Sequence, residues 1–357
     1  MKHQHRVLLL AIVVGIVLFA AAAGAEDAKK LHLYSWTQYM DPDIIKQFEE
    51  KYDVEVEQSY YESLPEMYAH LRAGGSAHYD IVIPSSYYVP RMIADELLQP
   101  LDKDLIPNLS NLMDKFSDPV FDPGNQYTAA YQWGTTGIAY NAEMLPEAPA
   151  GWAILFDPDV DADYPFVLST DLQVMLGAAC AYQGKPYACT GALNWKQAAQ
   201  LILKTKDRTG FGGFMDNTPM LDKLENGEVA AGVSYNGDYV FRQAHNPEAY
   251  KNKRFILPRE GAELWLDSMA IPADAPHPEL ANKFINFILD AKIGAQLSNY
   301  NYYATPNKAA VEHLKPELQQ PPVMPSAEQM ERLHYTPAIE GPQLERALQI
   351  WIAVISG

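Results

Sequence analysis

The sequence predicts an α/β fold in two lobes, and three observations predict it. The chain has 357 residues, and about 330 remain once an N-terminal leader is set aside, more than one hydrophobic core usually holds. Its first hundred residues alternate short apolar runs with helix-period segments in a βαβ rhythm, which closes into a parallel, doubly wound sheet with flanking helices. Aromatic and hydroxyl side chains gather where the apolar runs end, the place where open α/β sheets bind small ligands.

The first element shows the pattern. His32–Ser35 reads as a strand that runs into Trp36-Thr-Gln-Tyr39, and a helix over Pro42–Tyr52 follows. Asp41 is placed to accept from the free N–H groups of the first helical turn, Pro42 fits the first helical position, and Ile44, Ile45 and Phe48 form an apolar stripe. A strand over Val54–Tyr60, a helix over Pro65–Ala73, a strand over Asp80–Pro84 and a helix over Val89–Glu96 complete the segment. The apolar run Asp80-Ile-Val-Ile-Pro84 is of buried-strand type, and Ser85-Ser86-Tyr87-Tyr88 stands at its carboxyl end.

Further along, strand-like Tyr127–Tyr131 leads into Trp133-Gly-Thr-Thr-Gly137, whose two glycines suggest a crossing between lobes. Helices are expected at Leu172–Tyr182, Leu193–Asp207 and Pro219–Glu225, with strands at Ala230–Tyr235 and Phe255–Pro258. Glu263–Pro272 alternates and would cross back. Glu279–Ser298 reads as one long amphipathic helix, with Ala281, Phe284, Ile285, Ile288 and Leu289 on its inner face, and the chain closes on a helical tail.

The N-terminus combines Lys2 and Arg6 with an apolar run over Val7–Ala23 and the small-x-small sequence Ala23-Gly24-Ala25. That is a secretory signal, residues 1–25, cut before Glu26; a retained anchor is the competing reading, because the run is close to bilayer-spanning length. Net charge is −18, and loss of Lys2 and Arg6 takes the remainder to −20, which disfavours nucleic acid or anionic membrane as partner and mildly favours a cationic ligand. Cys180 and Cys189 are the only cysteines; in an oxidising compartment they form a disulfide or remain two buried thiols, and their spacing does not suit zinc.

Enzyme signatures are missing: there is no Gly-x-Ser-x-Gly, no His-Glu-x-x-His and no phosphate loop, since Gly210-Phe-Gly-Gly213 lacks the Lys-Ser/Thr such a loop needs. Asp267 interrupts an apolar strand, where an unpaired carboxylate is costly, and a cationic partner is the economical explanation. Trp265 and Tyr235, in strand-like alternation, also fit as core aromatics, and Asp171 and Asp238 also fit as helix caps.

Six motifs carry a resemblance: Leu33-Tyr-Ser-Trp-Thr-Gln-Tyr39, Tyr79-Asp-Ile-Val-Ile-Pro-Ser-Ser-Tyr-Tyr-Val89, Trp133-Gly-Thr-Thr-Gly137, Gly227-Glu-Val229 with Tyr235-Asn-Gly-Asp238, Trp265-Leu-Asp267-Ser268 with Ile271-Pro-Ala273, and Ala304-Thr-Pro-Asn307. In order and spacing they resemble bacterial periplasmic polyamine-binding proteins, the substrate-binding components of spermidine/putrescine ABC transporters. The resemblance implies a two-lobed periplasmic binding protein fold of type II, each lobe a doubly wound mixed sheet with flanking helices, closing on ligand by a hinge motion. It places lobe 1 at 26–134 and 260–306, and lobe 2 at 135–259 and 307–357. It implies a periplasmic monomer with no cofactor or metal, whose partners are a polyamine and a membrane permease.

Carried over residue by residue, Trp36, Tyr39, Tyr87, Tyr235, Trp265 and Tyr303 would form an aromatic box, Asp171, Asp238 and Asp267 would supply negative charge, and Thr37 and Ser85 hydroxyl contacts. A polyamine is an apolar chain bearing ammonium groups, so ring faces along the chain and carboxylates at the amines are the chemistry it needs; each cation over a ring contributes on the order of 0.5–2 kcal/mol. Two family acids are replaced, by Gln38 and Val174. Thr37, Tyr87, Asp171 and Trp265 lean to the spermidine-preferring branch and Asp238 to the putrescine-preferring one. The competing class is a binder of ferric iron or another organic cation on the same fold, suggested by the tyrosine pairs Tyr60-Tyr61, Tyr87-Tyr88 and Tyr302-Tyr303. Adjacent strand residues point to opposite faces, so such pairs are expected to be half core and half surface.

Overall fold

The computed structural model describes residues 29–145, 147–160 and 164–356; the proposed secretory signal lies outside them. Among the described residues, eleven strands form a mixed sheet flanked by helices. They are β1 (Lys29–Trp36), β2 (Val54–Tyr61), β3 (Ile81–Val82), β4 (Leu98–Gln99), β5 (Thr128–Asn141), β6 (Phe166–Ser169), β7 (Phe211–Met215), β8 (Ala231–Tyr235), β9 (Lys253–Ile256), β10 (Ala262–Pro272) and β11 (Leu333–Tyr335). The main path runs β2-β1-β3-β10-β5-β8-β6-β7; β4 and β11 pair with β10, and β9 with β5. β1 pairs parallel with β2 and β3, and β6 parallel with β7 and β8, so each half carries a parallel, helix-flanked core. The antiparallel pair β5–β10 joins the halves: β10 reaches β3 on one side, and β5 reaches β8 on the other. The two-lobed α/β class read from the sequence is the observed one.

Many expected elements recur within a residue or two. The helices Pro42–Tyr52 and Leu172–Tyr182 have the expected bounds, and both begin at a side-chain cap: Asp41 accepts from the Asp43 N–H, and Asp171 from those of Gln173 and Val174. Ile44 and Phe48 of the first helix are fully buried, with Phe48 edge-on to Phe284 at 4.9 Å.

Three expectations are corrected. The long helix over Glu279–Ser298 is two helices, Pro278–Ile288 and Ala291–Asn301; Asp290 caps the second by accepting from the Lys292 and Ile293 N–H groups. The expected apolar face survives, because Ala281, Phe284, Ile285, Ile288 and Leu289 are all buried. Strand Tyr127–Tyr131 does not stop before the crossing but continues as β5 through both glycines, buried along its whole length. Strands β4, β6, β7 and β11 escaped the sequence reading: β4, β6 and β11 have two, four and three residues, and two of the five in β7 are glycines, too little to show a period.

Cys180 and Cys189 form a disulfide with Cα atoms 6.3 Å apart, which settles the two readings left open by the sequence. Among the described residues, no helix is long and apolar enough to cross a membrane.

Candidate functional site

β10 organises the site. Its alternation puts Glu263, Trp265 and Asp267 on one face, and pairing with Thr136, Gly134 and Gln132 of β5 keeps that stretch in regular register. Gly134 is required by the Trp265 indole: a Cβ there would lie 2.3 Å from the ring. The chain after β3 lies along β10, Ser86 donating its N–H to the Leu266 carbonyl at 2.8 Å and Ser268 donating to that of Pro84 at 3.0 Å. This brings Ser85 to Asp267.

Asp267 is 6% exposed. Tyr39 donates its hydroxyl to Asp267 Oδ2 at 2.9 Å, and Ser85 donates to Oδ1. Burial pushes this carboxyl up to about 6, while the two hydroxyls pull the other way. Tyr39 is held in turn by Tyr131, whose hydroxyl donates to the Tyr39 carbonyl at 2.6 Å and whose ring stands edge-on at 5.2 Å.

Tyr303 links this group to a second acid. Its ring is 4.9 Å from Trp265 and 5.9 Å from Tyr39, both edge-on, and its hydroxyl donates to Asp238 Oδ1 at 2.7 Å. Gly237 makes room, since a Cβ there would fall 2.2 Å from the Tyr303 ring. Asn217 donates to the other Asp238 oxygen. Asp238 is not the cap the sequence allowed for: the helix over Asn236–His245 starts before it, with Tyr235 at the cap position. Burial raises the Asp238 carboxyl above its ordinary range.

The third group sits toward the start of β10. Tyr235 is edge-on to Trp265 at 6.3 Å. Burial raises the hydroxyls of both Tyr87 and Tyr235, and the carboxylates of Asp171 and Glu263 act on each. Asp171 is the cap the sequence allowed for, one oxygen taking both N–H groups, and burial raises its carboxyl. Val174, expected beside the cleft, is 2% exposed within the apolar core.

Trp36 ends β1 and packs on Tyr61 with ring centroids 4.6 Å apart, and Thr37, which follows it, is exposed. Gln38 takes a left-handed backbone, φ 58°, in the turn that swings Tyr39 inward. Of the tyrosine pairs, only Tyr60-Tyr61 divides into surface and core, at 49% and 1% exposure. Tyr302 and Tyr303 are both buried, since they follow a helix rather than lie in a strand, and Tyr87 and Tyr88 are both partly buried.

The sequence reading missed Glu263, Tyr131 and Asn217. Glu263 carried a usable signal, an acid two residues from Trp265 and four from Asp267 in an alternating strand; Tyr131 and Asn217 reach the site only through the fold.

A buried array of rings and carboxylates beside the paired strands that join two α/β halves defines a solute-binding protein of the two-lobed class. The chain matches the family model for bacterial extracellular solute-binding proteins over residues 43–326 and belongs to that family, one of substrate-binding transport proteins and not of enzymes. It is 35% identical over 308 residues to the putrescine/cadaverine-binding protein of Pseudomonas aeruginosa, covering 84% of this chain and 86% of that one. It is 34% identical over 320 residues to the spermidine/putrescine-binding periplasmic protein of Escherichia coli, covering 89% and 88%. Among solved structures it is similar to the spermidine/putrescine ABC transporter substrate-binding protein PotD of Streptococcus pneumoniae, with TM-score 0.81, 28% identity and coverage of 92% of this chain and 98% of that one.

Proposed function

We propose that this protein captures a polyamine in the periplasm, spermidine in preference to putrescine, and delivers it to the permease of an ABC transporter. The observation that carries the reading is Asp267, a buried carboxylate held by two hydroxyls on the face of β10 that carries Trp265, whose ring meets those of Tyr235 and Tyr303 edge-on. An ammonium at that carboxylate gains a charge-assisted hydrogen bond of roughly 1.5–3 kcal/mol, and the methylenes that follow it meet ring faces. Asp238 and Asp171 supply further acceptors, with Ser85 and Thr37 contributing hydroxyls, and Trp36, Tyr39 and Tyr87 completing the aromatic walls. The relatives' names, which include putrescine, cadaverine and spermidine, support the ligand class.

The lobes divide where β5 and β10 cross, near residues 134 and 260, and ligand entry requires them to part about those strands. A ferric site built on tyrosinates is disfavoured here: Tyr39 and Tyr303 both donate to carboxylates, and burial raises both hydroxyls well above their ordinary value. The protein acts as a monomer, without cofactor, after removal of residues 1–25.

Calorimetry of the exported protein against spermidine, putrescine, cadaverine and ferric citrate tests the reading. Micromolar or tighter spermidine binding, weaker putrescine binding and no tyrosinate–iron band are expected; iron binding with no polyamine binding would overturn it. Intact mass of periplasmic material should start at Glu26.

A further inference from the structure

Glu263 lies on the site face of β10 but has no ligand contact assigned to it in the polyamine reading, and it is 4% exposed. Thr136 donates to one of its oxygens and Thr336 to the other, and among the described residues it makes no ion pair. Two hydroxyls only partly offset the burial of a carboxylate, since an isolated buried charge is costly unless it finds a countercharge. The charges that act on it push the wrong way: Asp171 and Asp267 both oppose its ionisation.

Its position explains what the carboxylate is for. Glu263 and Asp267 lie four residues apart on the same face of β10 with Trp265 between them, and a strand advances about 3.3 Å per residue, so their Cα atoms are about 13 Å apart. A zigzag chain with bonds of about 1.5 Å covers about 11 Å in the nine bonds between the terminal nitrogens of spermidine, and about 6 Å in the five of putrescine. Allowing about 2.8 Å for a hydrogen bond at each end, the longer amine spans about 17 Å and crosses the indole with length to spare, whereas putrescine spans about 12 Å and falls just short of the separation of the two backbone positions.

Resting on the polyamine reading, we propose that Glu263 is a second terminal anchor and a specificity-determining residue, binding the ammonium at the far end of a triamine whose near end sits on Asp267. Asp171, whose charge acts on Glu263 and whose second oxygen is not engaged by the helix cap, shares that end. Tyr87 and Tyr235, on which Glu263 and Asp171 both act, line the same region. Putrescine occupies one anchor and leaves the other acid without a countercharge.

The test is calorimetry of the exported protein with spermidine, putrescine and 1,8-diaminooctane, whose two nitrogens are also nine bonds apart, on wild type and Glu263→Gln. Wild type should bind 1,8-diaminooctane at least tenfold more tightly than putrescine. Glu263→Gln should weaken spermidine and 1,8-diaminooctane at least tenfold and putrescine less than threefold. A folded Glu263→Gln protein with an unchanged spermidine-to-putrescine ratio would overturn the assignment. The diamine series needs only wild type, so it decides the matter even if the variant fails to fold: binding no tighter at nine bonds than at five overturns it. Loss of the length preference with putrescine still bound removes Glu263 as anchor and leaves the polyamine reading standing, whereas a wild type that binds none of these amines removes both.

Discussion

Tyr39 and Asp267 lie 228 positions apart in sequence and meet in a 2.9 Å hydrogen bond, hydroxyl to buried carboxylate. The bond ties the turn after β1 to the strand that crosses between the halves. It also shapes the acid: with Ser85 on the other oxygen, Asp267 is aimed by two neutral donors and keeps its charge for a cation.

Asp267→Asn keeps the shape and removes the charge. It should weaken polyamine binding by roughly 2–4 kcal/mol while the fold stays intact, because a desolvated ammonium loses its partner. Trp265→Ala should also weaken binding through lost ring face. Calorimetry finding both variants within twofold of wild type would remove the site from β10.

Binding should strengthen as pH rises. Asp267 is pushed up to about 6 and Glu263 to about 7, whereas the ligand amines, with ordinary values near about 10, stay protonated throughout. Affinity should therefore climb between pH 5 and about 7.5 and then level off. Asp267→Asn should lose the lower part of that climb and Glu263→Gln the upper; a flat profile in wild type contradicts the burial argument.

The same shifts act in reverse on the ligand-free protein. A carboxyl raised on folding binds more protons folded than unfolded, so its contribution is present below the ordinary value, 4.5 for Glu263, and is lost as pH rises through about 7. Thermal denaturation should show wild type losing stability relative to Glu263→Gln across that window. Saturating polyamine should offset the loss by mass action.

Gly237→Ala places a methyl group against the Tyr303 ring and should displace it from Trp265 and from Asp238. Polyamine affinity should fall at least tenfold with little change in far-UV circular dichroism. Retained affinity would mean that Tyr303 does not wall the site.

The Cys180–Cys189 bridge closes a loop with a sequence separation of 9, for which chain entropy gives about 2–3 kcal/mol. Reduction should lower the unfolding free energy by that amount, read as a lower denaturant midpoint at unchanged slope. Polyamine affinity should change little, because neither sulfur joins the groups described around β10.

Local signals were legible in the sequence because their causes are local. Asp41 and Asp171 cap the helices that they precede, the Ile44–Phe48 stripe is buried, and Trp36 ends β1, since caps, periodicity and strand ends depend on residues within one turn or strand. The class of fold and most of the aromatic and acidic residues around β10 followed from such signals together with the resemblance. Long-range packing decided the rest. That β5 runs unbroken through two glycines follows from its pairing with β10 and β8, and that Gly134 has no side chain follows from the Trp265 ring beside it; that Asp238 is bound rather than a cap depends on Tyr303 and Asn217 reaching it. The place of Glu263 among the acids depends on Thr136 and on Thr336, which is 73 residues away. Partnerships across such separations leave no local pattern, because the chain between them is free to vary so long as the sheet brings the two ends together.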